Sequence, residues 1–146
     1  MTPQPPAMPP AEFAKFVKQA DDRQLAEGLA ANRELILDQI FAAMPGRLRQ
    51  ERAAQVDAVV EWEITGPPEG SCDRFQVLIR RGACTALRDG TDAPSVRYRI
   101  GAVDFLRLVG GNASGPQLFL FGRLQVRGDL ILAARMPSMF DMPSSE

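Results

Sequence analysis

The sequence contains no histidine, and this absence removes much of the common chemistry of enzymes. Without an imidazole there is no Ser-His or Cys-His catalytic pair, and no histidine ligand for a metal ion. Carboxylates, two lysines, two cysteines and the single Tyr98 are the main groups that remain for catalysis. We therefore predict a protein that is not an enzyme, with no catalytic residue, no metal site and no cofactor.

Cysteines and long apolar runs are also scarce. Cys72 and Cys84 lack the Cys-X-X-Cys spacing of zinc and redox sites. There is no signal-peptide pattern, and no apolar run reaches the length of about 18 residues that a membrane helix needs. These features predict a cytoplasmic protein without stable insertion into a membrane.

Neither sign of charge dominates, since the sequence has 17 basic and 18 acidic residues and a net charge of −1. This balance argues against a general nucleic-acid binder. Proline is concentrated at the start, with five prolines in residues 1–10, which predicts a disordered tail there. Residues 11–146 have the size of one domain.

Apolar residues recur at three- and four-residue steps in residues 11–46, which predicts three helices. The first carries an apolar stripe that begins at Phe13. The second is capped by Asp21 or Asp22, and the third runs from Arg33 to Met44 before Pro45-Gly46 ends it.

From Ala54 the period changes to two, which predicts four strands up to Ile100. Arg81-Gly82 forms a tight hairpin that places Arg80 opposite Ala83 and Cys84 opposite Ile79. Cys72 then lies far from Cys84 along the ladder, so no disulfide is expected. The strands have one apolar face and one polar face, which predicts an antiparallel sheet covered on one side.

In the last third, Gly101 is expected to cap a helix over residues 102–109, and Ser114 to open a short helical turn. The Leu118–Phe121 run in that turn is apolar all round. A fifth strand follows at Leu124, and Asp129 is placed to cap a final helix over residues 130–135.

Several motifs of this last third stand in a fixed order: Asp104-Phe105-Leu106, the helix-ending Gly110, Pro116, the Phe121–Asp129 run FGRLQVRGD, and Leu132-Ala133. In this order they resemble the core signature of sterol carrier protein 2 domains. The resemblance covers residues 50–140 and is most specific over residues 122–133. The helices before Met44 resemble the amino-terminal region of bacterial single-domain members.

The resemblance implies an α+β fold, in which a five-stranded, mainly antiparallel sheet is covered on one face by helices. It implies an apolar tunnel between sheet and helices, formed by residues 54–140, that takes sterols, fatty acids or fatty-acyl chains. Animal members often carry Gln where this chain has Phe121, so any polar contact from that position is lost. The final residues Ser144-Ser145-Glu146 do not match a peroxisomal address.

We predict that the lipid-binding residues come from inward strand positions and from the helices of the last third: Trp62, Phe75, Val77, Ile79, Tyr98, Ile100, Phe105, Leu106, Val109, Leu118, Phe119, Phe121, Leu124, Leu132, Met136 and Phe140. The same residues would also serve as an ordinary core. A backbone carbonyl is the expected partner for the Trp62 N–H and the Tyr98 O–H, and a ligand head group is the alternative. The Met136–Phe140 segment forms either a movable lid or a docked helix.

Outward arginines such as Arg74, Arg97 and Arg99 are expected to form a solvated face interleaved with Glu61 and Glu63, or else a transient contact with an anionic membrane. The first functional hypothesis is binding or transfer of a hydrophobic small molecule by a monomer or weak dimer. The alternatives are a domain that docks a partner protein and an accessory domain beside an enzyme of lipid or steroid metabolism.

Overall fold

The computed structural model describes residues 18–67 and 69–139. The predicted tail over residues 1–10, most of the predicted first helix, and Phe140 lie outside this range. Its elements follow in chain order: α1 Asp22–Ala43, a 3-10 turn Met44–Arg47, α2 Gln50–Ala53, β1 Asp57–Thr65, β2 Cys72–Arg80, β3 Ala83–Arg88, β4 Val96–Gly101, α3 Ala102–Val109, α4 Gly115–Leu120, β5 Leu124–Gly128 and α5 Leu130–Met139. Within the described ranges, no helix combines the length and apolar content needed to cross a bilayer.

The five strands form one sheet in the order β3-β2-β1-β4-β5. The pairs β1–β2, β2–β3 and β4–β5 are antiparallel, and β1–β4 is parallel. The predicted α+β fold with a five-stranded, mainly antiparallel sheet is confirmed. The expectation that the first four strands are all antiparallel is wrong for β4, because the chain crosses the sheet after β3 and β4 then runs alongside β1.

The β2–β3 hairpin has the predicted turn and register. Arg81 and Gly82 both have positive φ, at 49° and 84°, as a two-residue turn of type I′ requires. Arg80 lies opposite Ala83 and Ile79 opposite Cys84. Both cysteines are free, as expected from their distance along the ladder.

Helix α1 begins at the predicted cap. The Asp21 carboxylate accepts a hydrogen bond from the Gln24 N–H at 2.8 Å, and the Gln24 side chain accepts one from the Asp21 N–H at 2.9 Å. Asn32 departs from helical geometry, with φ −141° and ψ 34°, at the boundary between the predicted second and third helices. These two helices are therefore one element with a kink, which ends at Met44-Pro45.

Arg33 fastens α1 to the end of the sheet. Its side chain is only 11% exposed, and its Nε donates to the Asp73 carboxylate on β2 at 2.6 Å. Its other nitrogens donate to the carbonyl oxygens of Ile64, Thr65 and Pro67. Burial raises the pKa of Asp73, but hydrogen bonds from Arg33 and from Arg88 outweigh it and hold that pKa below its usual range.

The outer face of the sheet is less exposed to solvent than the sequence predicts. Glu61 and Gln76 lie opposite each other on β1 and β2 and are only 3% and 1% exposed. The connection from β3 to β4 crosses over them, and Gln76 Nε2 donates to the Asp92 carbonyl at 2.8 Å. A side chain at Gly90 would collide with Gln76, so this crossing needs glycine there.

Glu61 is buried as an ion-paired carboxylate. It lies 3.0 Å from Arg74 and 3.1 Å from Arg97, and it accepts a hydrogen bond from Gln76 at 3.0 Å. The prediction of a solvated outer face is therefore wrong at Glu61, since the crossing connection covers it. Glu63, in contrast, pairs with Arg99 at a more open position.

We expect Arg33→Ala to lower the free energy of unfolding by about 3 kcal/mol, because it removes one of the two cations paired with the partly buried Asp73 carboxylate and the donor to three carbonyl oxygens. Arg23 is the matched control, since it pairs with Glu27 but is 87% exposed. Arg23→Ala should change stability by less than about 0.5 kcal/mol. Urea denaturation of both variants is the measurement, and equal losses would show that Arg33 does not hold the helix.

Candidate ligand-binding site

A row of three rings crosses the centre of the inner face of the sheet. Trp62 on β1 lies opposite Phe75 on β2 and opposite Tyr98 on β4. The indole of Trp62 stacks on the Tyr98 ring with centroids 4.5 Å apart. All three side chains are buried. The strand registers therefore place these rings side by side, as the inward positions of the sequence predict.

Two helices add a ring each to this row. Phe41 of α1 stacks on Phe75 at 4.0 Å and on Phe105 of α3 at 5.3 Å. Phe105 also meets Trp62 edge to face at 5.3 Å. We call these five residues, Phe41, Trp62, Phe75, Tyr98 and Phe105, the inner aromatic cluster. Phe41 lies in the predicted third helix but was not among the predicted binding residues.

The ionisable groups in and around the cluster are neutral or paired. Burial raises the pKa of Tyr98 to about 12 and that of Cys84 to about 11, so both are protonated at neutral pH. The Arg88 guanidinium lies 4.4 Å from the centre of the Phe75 ring. It is engaged at 2.8 Å by Asp38 and at 2.6 Å by Asp73.

One polar atom of the cluster has no partner. The Trp62 Nε1 is buried and makes no hydrogen bond to any described residue, whereas the indole as a whole is 8% exposed. The predicted hydrogen bond to a backbone carbonyl is therefore wrong, because no described carbonyl lies within reach of this N–H.

Most predicted binding residues meet in a single core. These are Trp62, Phe75, Val77, Ile79, Tyr98, Ile100, Phe105, Leu106, Val109, Leu118, Leu124, Leu132 and Met136. They lie between the sheet and the helices, where the resemblance places a ligand. Whether they contact one stays a prediction.

Phe119 and Phe121 do not join this core. They are 54% and 74% exposed, and of their helical turn only Leu118 is buried. The run is apolar all round, but only one side of it is buried, because α4 has only six residues and presents a single side to the sheet. Leu130 and Ile131 at the start of α5 are also exposed.

Helix α5 is docked in the described structure. Met136 and Met139 are buried, and the Arg49 N–H donates to the Met139 carbonyl at 2.6 Å. Asp129 caps the helix by accepting from the Leu132 N–H at 3.0 Å, as predicted. The helix continues four residues past the predicted end at Arg135. Of the two alternatives for this segment, the docked helix is the one observed.

Ring contacts occupy the centre of the space where the resemblance implies a tunnel. Two open clefts, of about 580 and 120 Å³, lie at the end of the sheet and share Thr65 and Arg99 in their walls. Neither enters the space between sheet and helices, where the rings are in contact. The presence of a tunnel in the ligand-bound protein therefore stays a prediction.

Because the cluster is tightly filled, Phe105→Ala should lower the free energy of unfolding by about 3–5 kcal/mol and leave an apolar cavity. Such cavities bind benzene, so benzene should raise the melting temperature of this variant and not that of the unmodified chain. Phe119→Ala removes the same ring from an exposed position and should cost less than about 0.5 kcal/mol. Thermal unfolding with and without benzene is the measurement, and a benzene effect in neither variant would contradict a cavity at Phe105.

The same arrangement of strands and helices occurs in solved structures. The sec-alkylsulfatase Pisa1 from a Pseudomonas species matches 79% of this chain with a TM-score of 0.63 and 16% identity, and this chain covers only 18% of the sulfatase. Sterol carrier protein 2 from Yarrowia lipolytica matches 72% of this chain and 86% of its own, with a TM-score of 0.58 and 19% identity.

Sterol carrier protein 2-like 2 from Aedes aegypti is matched over its full length and over 77% of this chain, with a TM-score of 0.54 and 18% identity. The mosquito protein has also been solved in a palmitated form. At identities below 20%, these structural similarities show a shared fold alone. None of the curated proteins compared with the chain matches it in sequence.

The family itself is shown by a sequence match. Residues 37–141 match the SCP-2 sterol transfer family, which is more than two thirds of the chain. The match spans every described strand, residues 37–43 of α1 and all later described helices, and so includes each residue of the inner aromatic cluster. The chain therefore belongs to the SCP-2 sterol transfer family.

Proposed function

We propose that this chain binds a lipid with a long hydrocarbon chain between its sheet and its helices, without catalysing a reaction on it. The observation that carries the proposal is that the family match spans every residue of the inner aromatic cluster. The palmitated form of the mosquito protein supports a ligand of this kind for the shared fold.

Burial of the hydrocarbon chain is the proposed source of affinity. About 15 methylene groups at about 0.8 kcal/mol each contribute roughly 12 kcal/mol. The rings of the cluster must separate to admit the ligand, and the ligand loses freedom on binding, which together offset part of this gain. Micromolar affinity corresponds to about 8 kcal/mol, so roughly 4 kcal/mol is available for these costs.

The surroundings of the cluster support a non-catalytic role. The Tyr98 hydroxyl and the Cys84 thiol both have raised pKa values, so neither is an ionised nucleophile at neutral pH. Arg88, at the margin of the cluster, is engaged by two carboxylates. These groups favour holding a ligand over reacting with it.

We expect hexadecanoate or its methyl ester to raise the melting temperature of delipidated protein, by mass action on the native state. Native mass spectrometry should show one adduct of the lipid's mass, which solvent extraction removes. Hexanoate is the control, since its short chain buries too little apolar surface to bind at the same concentration. If neither long-chain lipid shifts the melting temperature nor forms an adduct, the proposed function is wrong.

A second candidate function is docking of a partner protein beside an enzyme. Exposed apolar side chains at the end of α4 and the start of α5 favour it: Phe119, Leu120, Phe121, Leu130 and Ile131. The likeness to 18% of an alkylsulfatase chain supports a domain of this fold within a larger assembly.

Sedimentation velocity of the delipidated chain separates the two candidates. Lipid binding as the main role predicts a monomer or at most a weak dimer, and docking on a second copy of this chain through the exposed side chains predicts a stable dimer that survives delipidation. Leu120→Ser combined with Phe121→Ser should dissolve such a dimer without lowering the melting temperature of the monomer, because both side chains are exposed. A dimer that persists in this double variant would place its interface elsewhere.

A further inference from the structure

The Trp62 N–H differs from the buried polar side chains on the outer face of the sheet, because it has no hydrogen-bond partner among the described residues. On the outer face of the sheet, buried Glu61 and Gln76 have several partners each. On the inner face, Trp62 Nε1 is buried without an acceptor among the described residues. A buried donor left unpaired costs about 1–3 kcal/mol. This cost is recovered when a ligand brings an acceptor to the N–H.

Among the described residues, the neighbours of Trp62 are aromatic and offer its N–H no acceptor. The indole lies between the rings of Tyr98, which stacks on it, and Phe105, which meets it edge to face. Phe75 lies opposite it on β2. A lipid that enters the inner aromatic cluster therefore reaches this N–H through apolar surroundings.

Charge complementarity decides the class of acceptor. Arg88 is the cation placed over the cluster, at the Phe75 ring, and it already pairs with Asp38 and Asp73. A carboxylate buried beside Trp62 would have to share Arg88 with Asp38 and Asp73, and burying a charge that is not fully paired is far more costly than burying a neutral carbonyl or hydroxyl. The site therefore favours an uncharged acceptor.

We propose that the Trp62 Nε1–H donates a hydrogen bond to an uncharged oxygen at the polar end of a long-chain lipid, either an ester-type carbonyl or a hydroxyl. Trp62 thus binds the polar end of the ligand, while the surrounding apolar side chains contact the hydrocarbon chain of the ligand. This inference rests on the proposed lipid-binding function and adds to it a specific donor and a ligand class.

The chain offers a direct measurement because Trp62 is its single tryptophan. A ¹⁵N-labelled sample gives one indole N–H resonance, which reports on this atom alone. Methyl hexadecanoate and 1-hexadecanol, delivered from methyl-β-cyclodextrin, should move this resonance downfield, and hexadecane should not. The larger displacement identifies whether the carbonyl or the hydroxyl is the better acceptor.

The variant Trp62→Phe keeps a ring and removes the donor. Its affinity for methyl hexadecanoate should fall about tenfold, while its affinity for hexadecane stays the same. Arg23→Ala is the control, since it changes an exposed side chain outside the inner aromatic cluster and should leave the ligand-induced displacement of the Trp62 resonance unchanged. Hexadecanoate at pH 8 should bind at least about tenfold more weakly than its methyl ester.

The outcomes separate this inference from the function on which it rests. If native mass spectrometry shows bound methyl ester and alcohol but the indole resonance does not move, Trp62 is not the donor, and lipid binding stands. If hexadecanoate binds as tightly as its ester, the preference for an uncharged acceptor is wrong. If none of the lipids binds, the proposed function fails and this inference fails with it.

Discussion

The register between β1 and its two neighbours is the constraint on which the rest of the structure depends. It places Trp62 between Phe75 and Tyr98 on the inner face and Glu61 beside Gln76 on the outer face. A slip of one residue would send the indole outward and the carboxylate into the core. Both faces hold the register, through stacked rings on one side and a hydrogen-bonded crossing connection on the other.

The same ring contacts link the proposed lipid binding to the stability of the core. An empty apolar cavity costs about 24 cal/mol per Å³, so a tunnel of about 300 Å³ held open without a ligand would cost roughly 7 kcal/mol. Contact between Phe41 and Phe105, from two different helices, avoids that cost in the ligand-free chain. The lipid binding proposed above would replace these ring–ring contacts with contacts to the ligand, and it would require α1 or α3 to move relative to the sheet.

Local signals predicted the elements, and contacts distant in sequence decided the rest. The turn at Arg81-Gly82 and the caps at Asp21 and Asp129 depend on neighbouring residues, so the sequence was sufficient to place them. The burial of Glu61 depends on a connection more than 25 residues further along the chain, and alternation along β1 carries no sign of it. Exposure of Phe121 likewise depends on where a short helix meets the sheet, which its composition does not reveal.

The sequence predicted where the residues of the candidate site lie on the sheet, but it did not predict the hydrogen bonding of their polar atoms. Inward strand positions located Trp62, Phe75 and Tyr98, since period-two patterning fixes which side chains share a face. The rule that a buried indole N–H finds a partner then failed at Trp62. Sequences satisfy such local rules wherever stability alone is at stake, and functional positions are where exceptions concentrate. The missing acceptor at Trp62, among the described residues, is therefore the feature of this cluster that local sequence rules did not predict.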